Sequence, residues 1–345
     1  MPAMSRWHRA IAVVSLTGLA VAVPGVAQAG GRGGHGNVGG TRQGGGAGGD
    51  GTLSATAGGI VWDRSHNGTG KKVSAVTPLG DWNPPACWYA PAYTPEQLRK
   101  KLEPIWGAGS TGAEWDSSQR DRYVNGKPYQ DFNKKKAGKG FWWDSFVAEG
   151  RAADPGAADC DKPYFWVDKG DPPPADIPEA LTPEMLAKLA YREIRVPGTE
   201  VELAPADRTK VNLPTWAWLD KAEFKPVSVT ASVPALDIRA TTTAEPVSLK
   251  IEPGTEDAVL HPASGTCPIT DGRIGTPFTK GSAQKKPPCG LTYLRSSGGD
   301  AYTLRATLTW KIHWTGTGVP GGALPDGAFG AEQDITVQEI QSVNR

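Results

Sequence analysis

One run of residues restricts the fold more than any other. Tyr302, Leu304, Ala306, Leu308, Trp310, Ile312 and Trp314 fall on one parity, and Thr303, Arg305, Thr307, Thr309, Lys311 and His313 on the other. A period of two is that of an antiparallel strand with one face packed and one solvated. At about 3.3 Å per residue, residues 301–314 would extend roughly 46 Å, well beyond an ordinary strand. A bend or bulge is therefore expected within the run, with both tryptophans beyond it.

The rest of the C-terminal part reads the same way. Val227, Val229, Ala231 and Val233 alternate, as do Val247, Leu249 and Ile251, and then Ile335 and Val337, with turn residues between the runs. The chain's 44 glycines and 30 prolines supply many turns and linkers. The expectation is a mainly β protein whose C-terminal part, 205–345, is a β-sandwich.

Two stretches of this part carry a resemblance. "PVSLKIEPGTED" followed by "CGLTYLRSSGGDAYTLRATLTW" resembles a PKD-type immunoglobulin-like domain, in which an acidic-glycine turn and a glycine turn lead into a Tyr-Thr-containing strand. It is also similar to secreted proteins of high-GC Gram-positive bacteria with paired cysteines in this place. The resemblance covers 211–345, with Leu249 and Gly254-Thr255-Glu256 standing where the family has Trp and Gly-Asp-Gly. It implies an immunoglobulin-like sandwich that mediates extracellular protein or polysaccharide contacts.

Residues 1–29 read as a secretory signal peptide: Arg6, His8 and Arg9 precede an apolar run, and Ala27-Gln28-Ala29 offers small residues for cleavage. No later segment approaches the roughly 20 apolar residues of a membrane span. Residues 30–59, dominated by glycine, read as a disordered linker. Residues 60–204 hold most of the 13 tryptophans and read as a mixed, loop-rich domain. Two helix starts stand out there: Thr94-Pro95 with Gln97, and Thr182-Pro183 leading into Met185, Leu186 and Leu189.

Export favours disulfides, and an even cysteine count suits them. Four cysteines allow three connectivities. Keeping each pair inside one domain selects Cys87 with Cys160 and Cys267 with Cys289. Loop-closure entropy gives upper expectations of about 4.4 and about 3.4 kcal/mol for the two.

Lys plus Arg totals 37 against 36 Asp plus Glu, so no bulk charge seeks nucleic acid or an anionic membrane. "GAGSTG" at 107–112 matches the spacing of a dinucleotide loop, but no buried strand leads into it and no clear helix signal follows. The histidines beyond the signal, His35, His66, His261 and His313, show no zinc-protease spacing. No catalytic residue, cofactor or metal site is expected. Among carboxylates near aromatics, Glu114, Asp116, Asp144, Asp159, Asp161, Asp168 and Asp171 are read mainly as solvated, although a glycosidase needs only two. Glu252, Glu256 and Asp257 are oxygen donors of the kind calcium takes, in a turn of the kind that is usually just wet.

The most suggestive cluster is "NKKKAGKGFWWDSF" at 133–146. Trp142 and Trp143 offer faces for stacking, and Lys136 and Lys139 offer cations to an anionic polymer. The competing and favoured reading is a basic surface loop running into a buried aromatic strand, since tryptophan is heavily buried on average. The sequence therefore leads to a secreted, non-enzymatic extracellular binding or cell-surface structural protein. Carbohydrate or cell-wall binding, or a glycosidase, by the middle domain is the alternative.

Overall fold

The computed structural model describes residues 59–69, 73–198, 200–219 and 225–340. The chain is mainly β, with 42% strand against 18% helix. Its centre is a curled antiparallel sheet built on three long strands, β12 (Ile238–Glu252), β17 (Tyr302–Gly316) and β18 (Val319–Gln338). Beyond β12 lie β11 (Val227–Val233) and β1 (Val61–Asp63), and beyond β18 lies β3 (Thr77–Pro78). Further along, β14 (Thr266–Thr270), itself paired with β15 (Arg273–Ile274), flanks β12, and β9 (Arg208–Lys210) runs parallel to the end of β18.

Three smaller sheets accompany it. One runs β13 (Ala258–His261), β16 (Gly290–Tyr293), β10 (Pro214–Trp218), β8 (Glu202–Ala204). Another runs β4 (Cys87–Tyr93), β5 (Gly140–Val147), β6 (Phe165–Asp168), and the last pairs β2 (Ser74–Ala75) with β7 (Arg195–Val196).

β17 keeps its sequence parity throughout: Leu304, Ala306, Leu308, Trp310, Ile312 and Trp314 are all buried. The irregularity expected within it is carried by its neighbours. In β12, Val247 is an extra residue between Pro246, opposite Trp310, and Ser248, opposite Thr309. Both tryptophans lie beyond this bulge. One inserted residue reverses the parity of β12, so Thr242 and Ala244 are buried before it and Leu249 and Ile251 after it. The same face stays covered across the bend.

What covers that face differs at its two ends. Over β11, β12 and β17 lies the helix α3 (Pro183–Glu193), whose Thr182 cap accepts a hydrogen bond from the Met185 N–H. Helix and sheet meet through small side chains, Ala187 and Ala190 against a strand surface of Ala231, Ala240 and Ala244, all fully buried. The Thr242 hydroxyl donates to the Ala187 carbonyl at 2.8 Å, which gives that buried hydroxyl a partner. At the other end, the Cys267–Cys289 disulfide joins β14 to the residue preceding β16, in the four-stranded sheet.

The boundary expected at 204/205 is thus crossed repeatedly. β1, β3 and α3 come from before it and complete the long sheet, while β8 pairs with β10 from after it. The leader expected at 1–29 and all but Gly59 of the glycine-rich segment at 30–59 lie outside the described residues. Among the described residues no helix is long and apolar enough to cross a membrane.

Candidate ligand-binding groove

The site is built on β4–β5–β6. β5 is the central strand of three and is covered on both faces, so its sequence "GFWWDSFV" shows no alternation. Trp142 and Trp143 point to opposite sides. Trp143 packs in the main core beside Phe165, and Trp142 packs with Leu98, Leu102, Trp106, Tyr123 and Phe132. Both are essentially inaccessible, at 0% and 1% exposure. The suggestion that either offers a face to a ligand is therefore corrected: a central strand needs large apolar groups on both sides, and these two supply them.

Two helices cover the Trp142 face. α1 (Pro95–Gly107) begins with the expected capping box, Thr94 with Gln97, and buries Leu98, Leu102 and Trp106 at four-residue spacing. α2 (Ala113–Tyr123) follows directly on "GAGSTG", contrary to expectation, with Gly112 at its N-cap. Since α1 and not a strand precedes that loop, the dinucleotide geometry does not arise. α2 was not legible because it has no apolar stripe; only Asp116 and Tyr123 are buried.

A partly buried ion pair ties α1 to β5. Lys101 Nζ lies 3.6 Å from Asp144 Oδ2 and sits 4.6 and 5.2 Å from the ring centres of Tyr93 and Tyr164. The Tyr93 hydroxyl bridges the two charges. Burial, then the Asp144 carboxylate, pushes the Tyr164 hydroxyl well above its ordinary pKa. Asp144 is thereby committed to a structural pair.

The groove, about 440 Å³, opens between the 128–136 turn and the end of β6. Tyr129, Asn133, Lys136, Trp166, Asp168 and Asp171 line it, with Pro128, Pro172 and Pro174 as its stiff rims. Trp166 and Asp168 are two apart on a strand and so share a face. Asp168 is gripped at both oxygens: the Trp166 indole N–H donates to Oδ1 at 2.7 Å, and Lys136 Nζ donates to Oδ2 at 2.9 Å. These hydrogen bonds hold the Asp168 carboxyl below its ordinary pKa, so it stays ionised. Gly140 lets β6 come close, since a Cβ there would meet the Trp166 ring at 2.7 Å. The Trp166 backbone N–H donates to the Tyr129 hydroxyl at 3.3 Å, and the Tyr129 ring meets Trp142 edge-on at 4.6 Å.

The opposite wall is strained. Asp131, Phe132 and Asn133 all have positive φ, at 43°, 53° and 58°, a left-handed geometry that Asp and Asn adopt readily but that costs a bulky residue such as Phe132 about 1–2 kcal/mol. Burial of the Phe132 ring and donation of the Trp142 indole N–H to the Phe132 carbonyl at 3.0 Å hold it there. The effect is to turn Asn133 and Lys136 toward the groove. Sustained strain of this kind collects at ligand sites.

Of the other expected site residues, Lys136 lines the groove, whereas Lys139 is exposed and lies outside its lining. The disulfides pair as read, Cys87 with Cys160 and Cys267 with Cys289. Two members of the acidic turn are ion-paired, Glu252 with Lys250 and Asp257 with Arg295. Among the described residues no three His, Cys, Asp or Glu side chains gather in a metal-holding group. His313 stands on the solvated face of β17, 4.0 Å from Glu245. In comparisons with known proteins, no family model, no curated protein and no solved structure matches the chain.

Proposed function

We propose that the chain is an exported, non-enzymatic binding protein that contacts an extracellular ligand through the groove at Trp166 and Asp168. The observation that carries this reading is the hydrogen-bonded chain Trp166–Asp168–Lys136, which lines the groove together with Asn133 of the left-handed turn. Fixed polar groups beside an aromatic surface in an open groove suit recognition. In a glycosidase pair Asp168, held ionised, could not be the proton donor.

The part from 205 onward is read as a PKD-like, immunoglobulin-like sandwich, with the four-stranded sheet facing one end of the long sheet. The Cys267–Cys289 bond between the two sheets supports this reading, as does the stacking of Tyr293 on Tyr302 at 5.3 Å. In the proposal it acts as the scaffold of an extracellular or cell-surface protein. Two disulfides are consistent with an oxidising compartment.

The test is retention of the purified chain on isolated cell-envelope material, compared with Trp166→Ala and Asp168→Asn after checking that both variants melt cooperatively. The expected result is loss of retention in both. Equal retention of all three would remove the groove from the function, and release of soluble products by the wild type would make it an enzyme.

A further inference from the structure

We infer that the groove takes an uncharged saccharide unit rather than an anionic polymer. This rests on the preceding reading of the groove as the contact site and narrows its ligand class. Three features of the groove lead there.

The first is charge. The lysines near 133–139 suggest a polyanion when read in sequence, but Lys136 is paired with Asp168 and Lys134 lies 3.7 Å from Asp131. The groove lining itself holds one cation, Lys136, against two carboxylates, Asp168 and Asp171. A phosphate-rich or carboxylate-rich chain would find no excess of cations in that lining and gain little there.

The second is the alternation of donors and acceptors. Lys136 retains donors beyond the one given to Asp168, the carboxylates accept, and the Asn133 amide does both. A hydroxyl both donates and accepts. A ring bearing several hydroxyls can therefore satisfy such a lining at every point, which a one-sided ligand cannot.

The third is the aromatic surface. Trp166 is packed against Gly140 and fixed by Asp168, and its half-buried indole presents the remaining surface to the groove. A pyranose has an apolar face of C–H groups that an indole covers with no demand for charge, while its hydroxyls reach outward.

The experiment is affinity electrophoresis and calorimetry of the chain against neutral cellohexaose, chitohexaose and mannohexaose. Polygalacturonate and polyphosphate serve as charged counterparts, each at low and high salt. We expect at least one neutral oligosaccharide to bind with little salt dependence, and Trp166→Ala to weaken it about tenfold or more, the scale of one lost stacking contact. Asn133→Gly is the second variant, because glycine accepts the left-handed backbone at 133 and the change removes only the amide. It should weaken the same ligand while leaving the melting temperature unlowered.

Salt-sensitive binding of the charged polymers alone would overturn the saccharide assignment. If Trp166→Ala abolished that binding, the groove would stand as the contact site and only the ligand class would fall. Binding of any probe that neither variant alters would overturn both. No response to any of the three neutral probes, in a chain still retained on envelope material, would also overturn the saccharide assignment.

Discussion

The long sheet and the aromatic unit solve the problem of burial in opposite ways. In the sheet, one face of each strand is covered, the buried residues recur at every second position, and the contact with α3 is made by alanines. In the aromatic unit a single strand, β5, is covered on both faces by rings and shows no alternation. The lesson concerns where a binding site can be built. A regular face of small residues leaves no room to present a polar group at a chosen angle. Rings packed edge-on, as Tyr129 is on Trp142, leave grooves at their margins and have N–H groups with which to hold a carboxylate.

The largest test of this contrast removes the elements that cross between the regions. A chain of residues 205–345 lacks α3, β1 and β3, and so uncovers Ala231, Ala240, Thr242 and Ala244 together. It should show no cooperative calorimetric transition and should bind a hydrophobic dye, whereas a chain beginning at residue 59 should melt as one. A sharp fragment transition near that of the longer chain would mean that the sheet does not depend on its helix.

A pair of substitutions then separates the two kinds of packing. Trp142→Ala empties a ring-sized space and removes the donor to the Phe132 carbonyl, at a cost of about 3–5 kcal/mol. Ala187→Leu overfills the seam between α3 and β12, at about 1–3 kcal/mol. Limited proteolysis should cut the first variant within the 120–140 turn and the second around α3. The same early cleavage site in both would show that the regions open together.

The smallest effect is one of pH. Burial, and then the Lys286 charge, hold His261 below the ordinary imidazole value of 6.5, with Nε2 and the Thr292 hydroxyl 3.1 Å apart. The unfolded chain therefore takes up this proton before the folded one does. Stability should be full above pH 6.5 and fall as pH drops from there through the lower folded value, and His261→Gln should flatten that part of the profile. Asp168 behaves in the same sense but lower, its share being lost only as pH falls below the ordinary carboxylate value of 3.8. Chemical denaturation across pH should show the four-stranded sheet, which carries His261 in β13, responding before the aromatic unit.

The same contrast decided what could be read from the amino acids. β17 was legible along its length because its parity never breaks, and both helix starts were legible because their caps are local. The first half of β12, "IRATTTAEP", was not. Its buried residues are alanine and threonine, which carry little hydrophobic signal, and Pro246 reads as a terminator although it sits beside a bulge. β18 begins long before Ile335, through glycines and prolines that read as turns. In the groove, Asp168 stood only among carboxylates read as solvated, Trp166 was not singled out, and the left-handed turn that faces them was not legible either. Asp131, Phe132 and Asn133 include no glycine to announce it, and the indole that holds it lies ten residues away in sequence.

The way the long sheet is assembled also dictates when it can exist. Its edges are β1 and β3, drawn from residues 61–78, while their partners β11 and β18 are drawn from 227–338. A chain delivered from its N-terminus can pair β1, and cover β11 and β12 with α3, once residues 227–252 have appeared, but it must hold β3 in waiting until β18 arrives. The strand delivered among the first is therefore among the last to be used, and until then β17 is left as an open edge.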